Sequence, residues 1–256
     1  MATTTIDVTT IRPLAHTEAM RLQAAELDRT LALLRSLDAA SWTVQTGCCP
    51  AWDVRAMYQH VLGACEAGAS IRENASQFGR ALVFRRRHGG PLEAALSAVQ
   101  VRARAGLSPA QVIDRLAAVA PATVRGRSRV PEIVRRNARL KIDGPVHETW
   151  RLGYLIDLVY LRDLWMHRID AALTVGRPPE LTPGHDGRVV SDVVADWARR
   201  HGQPFVAELT GPAGGTYASH PGRPGAERIE LDAVEFCRTL AGRAPATGLL
   251  TTVVPF

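Results

Sequence analysis

The longest apolar stretch of the chain is Trp150-Arg-Leu-Gly-Tyr-Leu-Ile-Asp-Leu-Val-Tyr-Leu-Arg-Asp-Leu-Trp-Met-His-Arg-Ile-Asp170. At about 100° per residue, a helix places Asp163, His167 and Asp170 on one stripe. Because most other positions carry Leu, Val, Ile, Trp or Met, we expect this helix to be buried nearly all round. Burying a carboxylate or an imidazole without a partner costs several kcal/mol. Asp163 and His167 therefore need either a buried cation of the protein or a bound metal ion.

The bulk composition fits an ordinary globular protein. The chain has 256 residues, an apolar fraction of 46% and a net charge of +6, which suits one large domain or two modest ones. The positive charge comes almost wholly from arginine, since Lys141 is the only lysine. The basic stretches lack the interleaved aromatic residues of a single-strand binder, so a nucleic-acid partner is not expected. They would still raise the local concentration of an anionic small-molecule substrate.

Several observations indicate a cytoplasmic protein without a membrane span. No segment offers about 18 uncharged apolar residues, and the N-terminus lacks the charged and apolar regions of a secretory signal. The four cysteines form no CxxC pair, which favours a reducing compartment. Cys48 or Cys49 is a candidate nucleophile, because the N-terminus of the following helix would lower the pKa of its thiol. The competing interpretation is that both pack in a turn as small apolar residues.

Hydrophobic periodicity and capping residues predict a helical N-terminal part. Asp53 is a plausible N-cap, and Ser108 with Gln111 forms the pattern of a capping box. Residues 122–145 are expected to be a basic loop with little regular structure. The predicted helices cover residues 16–37, 53–73, 92–104, a segment that begins at 108, and the buried stretch 147–175.

The C-terminal part has a different pattern. One amphipathic helix is predicted within residues 184–202, followed by strands over 204–209, 215–219 and 228–231 and a last helix that Asp232 caps. Residues 1–14 are expected to form a loose or extended leader. The sequence thus predicts a mixed fold, with a helical domain over residues 15–178 and a small α+β domain over 182–256.

The spacing of Asp163 and His167 makes a metal site the sharpest functional hypothesis. Side chains four residues apart on a helix meet in space and can chelate one ion. Zinc and related ions need at least a third protein ligand. His60 is the best candidate, because small neighbours such as Gly63 and Ala64 leave room for its imidazole and for a second helix. Three ligands would leave a coordination position open for water or substrate.

Each of these residues also has a purely structural interpretation. Asp163 and His167 could form a simple ion pair, as many such pairs on helices do. His60 could be a core or surface histidine. Asp170 could be a second-shell acceptor that orients His167, or it could pair with Arg168 or Arg177.

Two sequence blocks carry a family resemblance. Ser41-Trp-Thr-Val-Gln-Thr-Gly-Cys-Cys-Pro-Ala-Trp-Asp-Val-Arg-Ala-Met-Tyr-Gln-His60 resembles the signature of the mycothiol-dependent maleylpyruvate isomerase N-terminal domain, and Arg162–Asp170 looks like the second metal-ligand helix of its actinobacterial branch. That domain belongs to the DinB-like metal-binding proteins. The stretch 232–256 is similar to the sterol-carrier-like C-terminal domain that accompanies it. The resemblance implies an up-down four-helix bundle followed by a small α+β domain.

The resemblance also implies a function. It predicts a divalent metal, zinc, held by His60, Asp163 and His167, with Asp170 in the second shell, in an enzyme that uses mycothiol for isomerisation of, or S-transfer to, a small electrophile. The chain departs from the family pattern at Ala51 and Asp53, where the family has glycine and threonine. The isomerase proper has glutamate at the position of Asp163. The alternative is a non-catalytic metal- or ligand-binding or regulatory module that retains the bundle.

Overall fold

A computed structural model describes residues 4–144, 146–220 and 222–256. The chain divides into two compact units: Ala15–Pro178, and the segment through Leu14 together with Pro179–Phe256. The N-terminal segment contributes strand β1 (Thr5–Asp7) to the second unit. The contiguous domains predicted from sequence leave this strand out. Two parts of these predictions lie outside the described residues: residues 1–3 of the predicted leader and residue 145 of the predicted basic loop.

The first unit is mainly helical. Its elements in chain order are α1 (His16–Ser36), α2 (Val54–Ala69), α3 (Ile71–His88), α4 (Leu92–Arg104), α5 (Pro109–Ser128), α6 (Glu132–Asn137), β2 (Arg139–Asp143), β3 (His147–Arg151), α7 (Leu152–Tyr154), a π-helical turn (Leu155–Val159) and α8 (Tyr160–Thr174).

Within the described part of this unit, helices α1, α2, α5 and α8 surround a common apolar core, and α3 and α4 form a hairpin against α2. Fully burying one Leu or Val side chain stabilises a fold by about 1.5–3 kcal/mol. Burial of this core therefore stabilises the helical unit. The prediction of a helical part followed by a small α+β part is confirmed. The core residues include Leu27, Leu31, Leu34, Met57, Val61, Leu62, Val112, Leu116, Leu164 and Ala171.

Two predicted helix starts are confirmed. The Asp53 carboxylate accepts a hydrogen bond from the Ala56 backbone N–H at 2.7 Å, which caps α2. Ser108 and Gln111 form both halves of a capping box at the start of α5. Each side-chain cap satisfies a backbone N–H that has no partner inside the helix. Asp53 also forms a β-bridge with Gln45, so the turn before α2 is closed at its base.

The predicted helix over residues 53–73 is wrong at its C-terminal end. Helix α2 stops at Ala69, because Ser70 is extended (φ −142°, ψ 120°) and its hydroxyl accepts a hydrogen bond from the Glu73 N–H at 3.3 Å. Ser70 therefore caps a separate helix. That helix, α3, runs up to the glycine pair at 89–90.

The predicted basic loop over residues 122–145 is also wrong. Helix α5 continues through Pro121 to Ser128, and α6 and β2 follow. The helix persists because its last turns are buried against α2: the Thr123 hydroxyl donates to the Cys65 carbonyl at 2.7 Å, and the Arg127 side chain is buried one turn further on.

The predicted buried helix over residues 147–175 starts later than expected. Residues 147–151 form β3, which pairs antiparallel with β2 and places Trp150 opposite Leu140. The helical path begins at Leu152, passes through the π turn and continues as α8. Within residues 161–172 every side chain is buried except Asp163, which is half-buried. The expectation of a helix buried nearly all round is therefore confirmed for α8.

The second unit is a small sheet with two helices. Its further elements are α9 (Asp186–His201), β4 (Phe205–Thr210), β5 (Gly215–Ser219), β6 (Glu227–Asp232) and α10 (Ala233–Leu240). The three predicted strands and both predicted helices are confirmed. Trp197 anchors the core of this unit, with its ring 4.6 Å from Phe205 and 5.2 Å from Phe236 between centroids.

The sheet has the order β1-β5-β4-β6. Strand β1 is parallel to β5, β5 is antiparallel to β4, and β4 is parallel to β6. The pairing of Ile6 with Tyr217 shows that the segment predicted as a leader is in part a strand of the sheet. Among the described residues, none of the helices is long and apolar enough to cross a membrane.

Candidate metal centre

The structure brings His60, Asp163 and His167 together. His60 lies on α2, and the other two lie one turn apart on α8. One ligand atom from each of the three lies within 4.8 Å of the other two. His167 Nε2 is 3.3 Å from Asp163 Oδ1, and the rings of His60 and His167 are 5.4 Å apart at an angle of 78°. His60, more than 100 positions away in the sequence, thus joins the predicted pair.

This donor set fits a divalent metal such as zinc. Zinc binds nitrogen and carboxylate oxygen at about 2.0–2.2 Å, so two ligands of a tetrahedral ion lie roughly 3.4 Å apart. The separation of 3.3 Å between Asp163 and His167 matches that edge. Two imidazoles and one carboxylate are also the donor types of catalytic zinc sites, which keep a further position open.

The helices that carry the three residues are fixed to each other near the cluster. The Tyr58 hydroxyl, fully buried on α2, donates to the backbone carbonyl of His167 at 3.3 Å. The His167 side chain is 6% exposed, whereas the Asp163 side chain is 25% exposed. Within the cluster His167 is therefore buried, whereas His60 and Asp163 are half-buried and border the solvent. The π turn ends at Val159, one turn before Asp163, and such turns occur often at functional sites.

The environment of His60 favours its neutral form. Burial lowers the pKa of His60 below its ordinary value, although the negative charge of Asp163 opposes that shift. A neutral imidazole is the form that binds a metal. The Trp52 ring lies 5.4 Å from the His60 ring.

Sequence reasoning missed the partner of His60 on α4. His60 Nδ1 lies 2.7 Å from Gln100 Oε1. The close approach of α4 to α2 requires the small residue Gly63, because a Cβ at that position would lie 2.6 Å from Gln100 Cγ. The expectation that small residues around His60 admit a second helix is thus confirmed. The sequence of α4 gives no signal for this contact, because the partner of Gln100 lies on a different helix.

Asp170 lies one turn after His167 and is buried, with 2% of its surface exposed. Its negative charge acts on the thiol of Cys48. Its role as a second-shell residue stays a prediction. Of the two arginines considered as its partners, Arg168 donates from Nε to Glu26 Oε1 at 2.5 Å, and Arg177 donates to the Ser36 hydroxyl at 2.8 Å.

The expectation that Cys48 has a lowered pKa is wrong. A hydrogen bond with Cys49, burial and the charge of Asp170 all raise the pKa of the Cys48 thiol well above its ordinary value. Cys48 packs against the apolar core between the four helices. The structure therefore supports the packing role for Cys48.

Comparison with known proteins then places the chain. The model of the mycothiol maleylpyruvate isomerase N-terminal domain matches residues 23–172, which include all three residues of the cluster. The chain belongs to this family. No curated protein matches the chain.

Two crystal structures share the fold of this family member. Both are of the mycothiol-dependent maleylpyruvate isomerase, one of them a histidine-to-alanine mutant. Each is 14% identical in sequence and aligns over 90% of this chain and 90% of its own, with a TM-score of 0.56. At this identity the likeness establishes the fold.

Proposed function

We propose that this protein is a metal-dependent enzyme that uses a low-molecular-weight thiol, mycothiol, to isomerise a small electrophile or to transfer the thiol to it. Its metal is a divalent ion, zinc, and its ligands are His60, Asp163 and His167. The observation that carries the proposal is the convergence of these three side chains, from two helices, within 4.8 Å. A simple ion pair of Asp163 with His167 would not require a second imidazole beside it.

When bound, zinc lowers the pKa of a coordinated thiol so that a thiolate nucleophile forms at neutral pH. The residues of this chain would hold the ion with two neutral imidazoles and one carboxylate, which leaves a position for the thiol. Asp163 is exposed enough to border the solvent side, from which a substrate would enter. Asp170 is proposed as a second-shell residue that helps to orient α8 ligands.

The comparisons and the charge of the chain support this assignment. The matched solved structures are named for mycothiol dependence and for maleylpyruvate, an anionic electrophile. The chain carries a net charge of +6, which favours the approach of an anionic small molecule. Maleylpyruvate is therefore the first electrophile to test.

Metal content tests the ligand assignment directly. We expect protein purified without an affinity tag to carry near-stoichiometric metal by mass spectrometry, and His60→Ala and His167→Ala to lose most of it. The matched control is His147→Ala, since His147 is exposed on β3. Equal metal content in all four proteins would contradict the proposal.

Turnover then separates the enzyme from a non-catalytic module. We expect consumption of maleylpyruvate, or alkylation by a small electrophile, to require both mycothiol and the metal. Stoichiometric metal without thiol-dependent turnover of any of these electrophiles would favour the metal- or ligand-binding module instead.

A further inference from the structure

Behind His60 lies a chain of two buried side-chain amides, Gln100 and Gln77. We call His60 and these two glutamines the amide relay. Gln100 Oε1 is 2.7 Å from His60 Nδ1, and Gln100 Nε2 donates to Gln77 Oε1 at 2.9 Å. Gln77 Nε2 donates in turn to the Gly63 carbonyl at 3.0 Å and to Glu73 Oε1 at 2.9 Å. Gln77 and Gln100 are 1% and 6% exposed, so water does not replace these partners.

The far end of the relay fixes its direction. A backbone carbonyl and a carboxylate oxygen accept hydrogen bonds and cannot donate them, so both groups near Gln77 require its NH2 group. The carbonyl oxygen of Gln77 therefore faces Gln100 and accepts from the NH2 group of Gln100. That leaves the Gln100 oxygen to face His60, and an oxygen there requires a proton on His60 Nδ1.

We propose that Gln100 and Gln77 are positioning residues that hold His60 as the Nδ1–H tautomer and so keep the Nε2 lone pair available to the metal. This inference rests on the proposed function for the identity of the ligand. A metal-bound histidine needs its other nitrogen engaged by an acceptor, because that contact fixes the ring and the tautomer. Here the acceptor is an amide whose orientation is set two residues away.

The relay is held in place by packing and by charge at its outer end. Gly63 permits Gln100 to lie against α2, since a Cβ there would lie 2.7 Å from Gln100 Cβ. Glu73 also lies 3.5 Å from Arg104 Nη2, an ion pair that holds the Glu73 side chain at the end of the relay. The relay thus connects α2, α3 and α4 at one level of the unit.

The tautomer can be measured in the metal-free protein. A long-range 1H–15N correlation spectrum at mildly alkaline pH reports which imidazole nitrogen carries the proton, and His60→Gln identifies the His60 signals. We expect the proton on Nδ1 in the unmodified protein, loss of that preference in Gln100→Met, and a mixture of tautomers in Gln77→Met, where the Gln100 amide is free to rotate. Gln100→Glu keeps an acceptor and should keep the Nδ1–H tautomer.

Zinc affinity gives the second readout. Competition with a zinc chelator should show binding weakened about 10–100-fold in Gln100→Met and retained in Gln100→Glu. Gln59→Leu, which removes a buried glutamine of α2 outside the relay, should alter neither readout. A proton on Nε2 of His60 in the unmodified protein, or an unchanged tautomer in both methionine variants, would overturn the proposal. A fixed Nδ1–H tautomer in a protein that binds no zinc would instead leave the positioning intact and refute the proposed function.

Discussion

The substitution Gly63→Ala should damage stability and metal binding together. Gly63 faces α4 at a close approach of the two helices. A Cβ added there would lie 2.6 Å from Gln100 Cγ, 2.7 Å from Gln100 Cβ and 2.9 Å from Arg104 Nη1. Gln100 Cβ is attached to the backbone and cannot move unless α4 moves. The clash must therefore be relieved by separating α4 from α2.

The expected magnitude follows from these distances. Carbon atoms in contact prefer about 3.5–4.0 Å, so α4 must move by roughly 1 Å. Overpacking of this kind costs about 1–3 kcal/mol, and the better helix propensity of alanine returns up to about 1 kcal/mol. We expect the free energy of unfolding to fall by about 1–2 kcal/mol. The same shift would stretch the 2.7 Å contact of Gln100 with His60 beyond hydrogen-bond length, and zinc affinity should fall about tenfold or more.

Urea unfolding and zinc competition measure the two effects. The matched control is Gly79→Ala on α3, where a Cβ would meet no atom within 4 Å. That variant should be more stable by up to about 1 kcal/mol, through propensity alone, with unchanged zinc affinity. The midpoints should shift in opposite directions with equal m-values. If Gly63→Ala behaves like Gly79→Ala, the close approach of α4 and its link to His60 are refuted.

Three further predictions concern stability. Gly126→Ala should destabilise by about 3 kcal/mol or more, because its Cβ would overlap the backbone carbonyl of Gly68 on α2 and no side chain can yield; denaturant unfolding checks this. Arg168→Leu should cost about 3–5 kcal/mol in the same assay, since Glu26 is fully buried. Burial lowers the pKa of His201, so the unfolded chain binds a proton more readily and the free energy of unfolding should fall as pH drops below about 6.5; thermal melts of His201→Phe should show a weaker pH dependence.

Sequence patterns predicted the elements whose burial is one-sided and regular. The sequence predicts helix α4 over residues 92–104 because its apolar side chains recur at the helical period. It predicts strands β4 to β6 to within a few residues because Gly and Pro clusters separate them. The pairing of Asp163 with His167 needed only helical spacing. His60 could be proposed as the third residue because its small neighbours imply that another helix approaches.

Other parts depend on contacts that a single sequence does not display. The sequence pattern predicts Trp150 as part of the apolar helix, but Trp150 pairs across a hairpin with Leu140. Strand β1 has only three residues and finds its partner more than 200 positions away. In each of these cases tertiary contacts override the local preference.

The α3–α4 hairpin shows why the relay, rather than the ligand set, was beyond prediction. The apolar cluster between these helices consists of the buried Ala81, Ala95 and Val99, with the partly buried Phe84, Leu92 and Leu96 packed against it. At the same level the hairpin buries two glutamines. They favour one specific orientation of the helices rather than stability, since a buried polar group stabilises the fold only when every partner is in place. The hairpin lies outside the four-helix core, yet it carries Gln100, whose oxygen is the acceptor beside His60 Nδ1. Its two buried glutamines therefore serve to hold the imidazole on α2, and no periodicity within α3 or α4 predicts this role.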